Sequence, residues 1–259
     1  MKKKVFRYIY GPVYSWRLGI SLGIDLLSSK RKICNFNCVY CQLGKTQRLT
    51  CKTRVYVKTS GAITELEKLP RIKIDYITFS GRGEPSLAKN LGQTIKAVKK
   101  LGIAPVAVLT NASLLNQTGI RKNLSYADFV VAKLDAYSQK SLERINQPAK
   151  EIRFDKIIQG IKQFRKKFKG KFALQIMFVK GNQGDVRKIA KLAKEINPDE
   201  VQINTPLRPS KTEPLSRPEI AKIKKYFSGL DSISVYDIKR KKVAPLSRKQ
   251  ALKRRGKLI

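Results

Sequence analysis

Histidine is absent from the 259-residue chain, and acidic side chains are scarce, 18 against 56 lysines and arginines. Without histidine, a closed structural zinc site would have to use all four cysteines, because such sites are built from cysteine and histidine. The shortage of acid leaves a formal net charge of +38. A field of that size favours polyanions such as RNA, DNA or acidic protein surfaces; a biased genome composition would give the same number without any ligand. Long apolar runs are also missing: no segment approaches the roughly 18 uncharged residues of a membrane helix. The opening Met1-Lys2-Lys3-Lys4 resembles the start of a signal peptide, but Arg7 and then Gly11-Pro12 interrupt it before an apolar region develops. These absences point to a soluble, cytoplasmic protein with no membrane contact. In a reducing compartment its few cysteines are metal ligands sooner than disulfide partners.

What the chain does have is a 42% hydrophobic composition, enough for a sizeable core. It also has three of its four cysteines within eight residues, Cys34, Cys38 and Cys41. Spaced C-x3-C-x2-C on one loop, three thiolates can turn onto one soft metal centre, as in Fe–S proteins. Three protein ligands on a four-iron cluster leave one iron open, and an open position distinguishes a catalytic metal site from a structural one.

Residues 17–27 alternate apolar with small or polar side chains and read as a strand leading into the cysteine loop. Beyond Cys51, a helix is expected over 62–69, closed by Pro70. Strands follow at 74–79, 105–109, 129–134, 172–179 and 200–204, with helices at 91–101, 115–122, 154–168, 186–196 and 218–227 and a short strand at 233–236. The strand at 129–134 is almost wholly apolar, as in a parallel sheet covered on both faces. Alternating strands and helices imply right-handed β-α-β units. Six strong strands favour a partial barrel over a complete eightfold one. The expected organisation is one α/β domain over 1–237 and a basic tail over 238–259. Ten cationic residues and no acidic one follow Asp237, with little periodicity, so the tail reads as solvated and disordered. Glu84, Asn111, Lys133, Asp135 and Asn204 all fall near the C-terminal ends of strands, the edge that also carries the cysteine loop.

C-x3-C-x2-C with Tyr40 before the last cysteine resembles the signature of the radical S-adenosylmethionine (SAM) enzymes. The segments Gly11-Pro12-Val13-Tyr14-Ser15-Trp16-Arg17-Leu18-Gly19 and Cys38-Val39-Tyr40-Cys41-Gln42-Leu43-Gly44 resemble one branch, Fe–S oxidoreductases related to the wyosine-forming tRNA enzymes. So do Gly81-Arg82-Gly83-Glu84-Pro85, Leu109-Thr110-Asn111, Lys133-Leu134-Asp135-Ala136 and Asn204-Thr205-Pro206. The resemblance covers about residues 10–210. It implies a partial (β/α)6 barrel of TIM type and a [4Fe-4S] cluster on Cys34, Cys38 and Cys41, with SAM chelating the open iron. It further implies cofactor contacts from Tyr40, Gly81, Gly83 and Glu84, the last three at the methionine amino group. Asn111, Lys133, Asp135 and Gln175 would hold the ribose or carboxylate. An external electron donor such as flavodoxin or ferredoxin is expected, with a monomeric enzyme and a tRNA substrate.

The competing readings are a closed four-cysteine zinc site and ordinary strand-end capping by the polar residues. A dinucleotide fingerprint at Gly81-Arg82-Gly83 fails because Ser86 stands where the third glycine belongs. Cys51 reads as a small apolar residue, a redox-active thiol or an exchangeable ligand. The wyosine-forming enzymes use a second cluster with three further cysteines, which Cys51 alone cannot supply. On function, the same chemistry on a protein or metabolite, and a non-catalytic basic nucleic-acid-binding module with a structural metal, stand as alternatives to an RNA-modifying enzyme.

Overall fold

The computed structural model describes residues 6–29, 31–239 and 241–255. Lys257 and the ends of the basic tail lie outside them. The chain forms β1 (Ile9–Ser15), β2 (Gly19–Ile24), the short pair β3 (Ile33–Cys34) and β4 (Arg48–Leu49), then α1 (Thr59–Glu67) and β5 (Tyr76–Phe79). There follow α2 (Leu91–Lys100), β6 (Val106–Thr110), α3 (Thr118–Leu124), β7 (Phe129–Lys133), α4 (Gln139–Asn146) and α5 (Phe154–Lys167). The last part holds β8 (Lys171–Met177), α6 (Val186–Ile196), β9 (Glu200–Asn204), α7 (Arg217–Lys225), β10 (Ser232–Ser234) and α8 (Arg248–Arg255).

Eight strands form one sheet in the order β1-β2-β5-β6-β7-β8-β9-β10, with β3 and β4 paired separately. From β2 onward every pairing in the large sheet is parallel, and only β1 runs antiparallel, against β2. The sheet curls into an open half-barrel, the partial TIM-like barrel expected from the strand count.

The two faces of the sheet are distinct. Ile77, Phe79, Val106, Val108, Val130, Ala132, Phe172, Leu174, Val201 and Ile203 point outward into the main core under the helices. Their neighbours in sequence, Ala107, Phe129, Val131 and Ala173, form a smaller cluster with Leu18 on the concave face. This period of two is why strands buried on both sides look uniformly apolar. In α6, Val186, Ile189, Ala190, Ala193 and Ile196 are buried along one stripe, and Asn197 closes the helix in the left-handed conformation.

The expected strands and helices sit within a few residues of the observed ones, and β1, the short pair β3 and β4, α4 and α8 depart from expectation. β1 was not foreseen, because Gly11-Pro12 interrupts its alternation where the register shifts between Tyr10 and Val13. α4 escaped notice because only Leu142 and Ile145 mark an apolar stripe, although Ser138 caps its start by accepting from the Ser141 amide at 3.2 Å. The tail expected to be solvated instead carries α8, which packs on β1 and buries Arg254. Its attachment is a buried cation instead of an apolar stripe, so charge counting reads it as coil.

Candidate active site

The cysteine loop, residues 32–41, leaves β2 at the C-terminal edge of the parallel strands and docks on the end of α4. The Asn37 amide donates to the carbonyls of Asn146 (2.9 Å) and Gln147 (3.0 Å), and the Val39 amide to that of Ile145 (3.0 Å). These carbonyls end a helix and lack intrahelical partners, so the loop caps α4 as α4 shapes the loop. On the other side, the Ile33 amide donates to the Arg82 carbonyl (3.1 Å) and the Glu84 amide to the Ile33 carbonyl (3.2 Å).

Each of the three thiols receives a nitrogen donor. Cys41 Sγ accepts from Lys32 Nζ at 2.8 Å, and Cys38 Sγ from Asn146 Nδ2 at 3.3 Å. Cys34 Sγ accepts from the Phe36 amide at 3.4 Å and faces Asn111 Nδ2 at 3.8 Å. Burial pushes the Cys34 thiol up, helped by Cys38 and Glu84; burial and then Asp135 push Cys38 up. Iron ligation replaces the thiol proton by metal charge and offsets that cost. Among the described residues no three Cys, His, Asp or Glu side chains converge as ligands of a single ion. A four-iron cluster has a different requirement, since each cysteine binds a different iron. Three thiols on one loop, each with an N–H donor that stabilises negative sulfur, fit it.

Around Cys34 the network is neutral except for one carboxylate. Asn111 Nδ2 donates to Asn35 Oδ1 at 2.6 Å, Asn35 Nδ2 donates to Ser113 Oγ at 2.6 Å, and Ser113 Oγ donates to Asn111 Oδ1 at 2.6 Å. This ring fixes the cysteine loop to the end of β6. Glu84, 2% exposed, accepts from Thr110 Oγ1 (2.6 Å) and the Ser86 amide (3.0 Å) on Oε1 and from the Asn111 amide (2.6 Å) on Oε2. Burial raises its pKa even against those three donors. A Cβ on Gly83 would lie 1.6 Å from the Ile33 carbonyl oxygen, and one on Gly81 would lie 2.5 Å from Asp25 Cγ. The space those glycines free is taken by the chain itself, by Ile33 at Gly83 and by Asp25 at Gly81.

Around Cys38 the network is charged. Asp135 Oδ2 accepts from the Tyr40 hydroxyl, from Asn146 Nδ2 at 2.9 Å, and pairs with Lys133 Nζ at 3.4 Å; Oδ1 accepts from the Met177 amide at 2.8 Å. Asn182 Nδ2 holds the Asp135 carbonyl at 3.0 Å. Lys133 Nζ also lies 3.4 Å from Gln175 Oε1 and 4.9 Å from the centre of the Tyr40 ring. Burial first, then Asp135, holds Tyr40 well above the ordinary phenol range, so its hydroxyl is a donor. Tyr40 packs with Ile145, Met177 and Val179, a small apolar cluster that also touches Cys38.

The structure thus gathers Cys34, Cys38, Cys41, Tyr40, Glu84, Asn111, Lys133, Asp135 and Gln175 along one edge. Cys51 packs half-buried against the main core. Two cavities, about 570 and 460 Å³, open instead among α6, α7 and β10 and touch none of these residues. Lys32, Asn35, Ser113 and Asn146 were missed by sequence reasoning. Lys32 and Asn35 sit within the motif stretch, where a nitrogen-bearing side chain beside a cysteine is a usable signal. Asn146 lies on an unforeseen helix, and no local signal marks it.

Residues 30–193 match the model of the Radical SAM superfamily. The chain belongs to that family. It is 42% identical to a UPF0026 protein of Synechocystis, over 82% of this chain and 79% of that one. A UPF0026 protein of Methanocaldococcus jannaschii is 35% identical over 86% of this chain and 71% of its own. A protein of Brachyspira hyodysenteriae named GTPase Obg is 39% identical over 88% of this chain, a stretch that is only 34% of its length. Among solved structures, Streptococcus suis SuiB bound to the precursor peptide SuiA gives a TM-score of 0.62 at 15% identity, over 82% of this chain and 48% of SuiB. Archaeal TYW1 gives 0.58 at 16% identity, over 85% of this chain and 75% of TYW1. The chain is a radical SAM enzyme, and its cofactors are a [4Fe-4S] cluster and SAM. No helix among the described residues is long and apolar enough to cross a membrane.

Proposed function

We propose that this radical SAM enzyme acts on RNA, with a tRNA base as its substrate, and that Cys34, Cys38 and Cys41 hold its cluster. Bound there, the cluster and SAM would supply cleavage of SAM by one electron from an external donor, giving methionine and 5′-deoxyadenosine with loss of a hydrogen atom from the substrate. The protein's part is placement and exclusion of water. Lys32, Asn146, Asn111 and the Phe36 amide hold the three sulfurs in place and stabilise negative charge on them. Glu84 Oε2 accepts one protein hydrogen bond and keeps a lone pair for the methionine ammonium beside Gly81 and Gly83. Lys133 and Gln175, on adjacent strands in register, face the concave side and serve the carboxylate or ribose, with Asp135 fixing Lys133. Tyr40, Ile145, Met177 and Val179 shield the Cys38 side from water.

The observation that carries the RNA assignment is the net charge of +38, which extends to exposed Arg248, Lys249 and Lys253 on α8. The same surface suits an acidic electron donor such as flavodoxin or ferredoxin. The enzyme is read as a cytoplasmic monomer. The test is formation of 5′-deoxyadenosine by the reconstituted, reduced protein with and without tRNA at several salt concentrations. Stimulation that falls as salt rises is expected. Failure to bind or respond to RNA at low salt overturns the substrate, and turnover independent of RNA points to a protein or small-molecule substrate.

A further inference from the structure

The ion pair between Arg254 on α8 and Asp25 after β2 is buried on both sides, with side-chain exposures of 0% and 2%. Its partners are 229 residues apart in sequence. Arg254 Nε donates to Asp25 Oδ2 at 2.9 Å, and Nη2 donates to Ser28 Oγ at 2.8 Å and to the Arg7 carbonyl. The guanidinium carbon also lies 5.6 Å from the Tyr10 ring. α8 is moored at both ends: the Leu246 amide before it donates to the Gly11 carbonyl at 2.6 Å, and Arg208, after β9, donates to the Arg255 carbonyl at 3.0 Å. The helix therefore packs on β1, with Arg254 reaching the segment after β2 and the Arg255 carbonyl taking one bond from Arg208 in the segment after β9.

Asp25 is also the wall against which residues 80–84 are built. Its carboxylate accepts the Leu27 amide at 3.2 Å, and Gly81, at φ +144°, packs so closely that a Cβ would meet Asp25 Cγ at 2.5 Å. Tyr10, under the guanidinium, shares a 2.6 Å hydroxyl hydrogen bond with Ser80. The same turn continues through Gly83 to Ile33, beside Cys34. A continuous line of contacts thus joins the C-terminal helix to the glycine turn and from there to the cysteine loop.

We infer that Arg254 is a positioning residue for the turn at residues 80–84, and that α8, packed on β1, fixes this turn for SAM. The inference rests on the reading above that the turn meets the methionine amino group. Burial already raises the Asp25 pKa in spite of Arg254. Without the guanidinium Asp25 is a buried carboxylate lacking its cation, and it gives up its close packing against Gly81 by taking a proton or swinging toward water.

The test uses the full chain with R254Q, R254K and the double variant D25N/R254Q, which leaves no charge buried at the pair. Amide hydrogen exchange at Arg82 and Glu84, measured without cofactors, should quicken about tenfold in R254Q as the turn opens locally more often. The dissociation constant for SAM of the cluster-loaded protein should rise by about the same factor, with iron content unchanged. R254K, which keeps the charge but not the fork to Ser28 and Arg7, should recover part of both. If R254Q does not fold, D25N/R254Q is measured in its place and should show both defects. A folded R254Q or D25N/R254Q with wild-type exchange and a dissociation constant within about twofold of wild type overturns the inference. Faster exchange in a protein whose wild type binds no SAM overturns the reading of the turn while leaving the lock in place.

Discussion

The two flanks of the cysteine loop are built differently. On the Cys34 side, Asn35, Asn111 and Ser113 close a ring of neutral amide and hydroxyl bonds, and the one carboxylate, Glu84, accepts chiefly from backbone amides and a hydroxyl. On the Cys38 side, Asp135 faces a lysine, a phenol and an amide within a small apolar cluster. Neutral rings fix geometry at little electrostatic cost, whereas a buried charged cluster depends on every partner being present. The first flank therefore holds its geometry mainly through neutral bonds, and the second is the electrostatically responsive wall of the site.

The largest effect tests what the flanks share. C34A, C38A or C41A should each abolish cluster assembly, read as iron and sulfide content after anaerobic reconstitution, while C51A retains both. Next, D135N should destabilise the protein by about 3 kcal/mol, because it leaves Lys133 without its counter-charge and weakens the Tyr40 and Met177 bonds at once. On the opposite flank E84Q should cost less, about 1–2 kcal/mol, since only the Asn111 amide faces a mismatched group. Chemical denaturation of the two variants compares the flanks directly, and equal losses would erase the distinction drawn between them.

E84Q also carries a pH signature. Burial raises the Glu84 pKa in the folded protein, so the native state holds this proton to a higher pH than the unfolded chain does. The contribution is fully present below the unfolded pKa and is lost as pH rises through the raised folded value. E84Q should flatten that decline, measured as unfolding free energy across the acid range to neutrality. The smallest effect is expected from K32M. It removes the 2.8 Å donor on Cys41 Sγ and should lower the cluster reduction potential while leaving iron content intact, measured by EPR-monitored redox titration.

Much of the Cys34 flank is legible in the sequence. The cysteine spacing, Gly81-Arg82-Gly83-Glu84 and Asn111 lie at ends of strands whose apolar runs are easily read, so the β-α alternation alone brings them to one edge. The charged flank is legible only in part. Asp135, Lys133 and Gln175 follow from strand ends, but Asn146, which touches Cys38, Tyr40 and Asp135, is placed by a helix with just two apolar markers. Asn35 and Lys32 are visible as residues and not as partners, because their roles arise from contacts that no periodicity encodes. α8 is the extreme case. Its buried side chains are Ala251 and Arg254, so the contact that attaches it is a cation, the feature that sequence rules assign to solvent.

The central claim is that these flanks together hold a cluster and SAM for radical chemistry. The most direct measurement is product analysis after the reconstituted protein, reduced under anaerobic conditions, is mixed with SAM, with C38A as the control. The account predicts 5′-deoxyadenosine and methionine from the wild-type protein and neither from C38A. A wild-type protein that assembles its cluster, is reduced and yields no 5′-deoxyadenosine, with or without RNA, would contradict it.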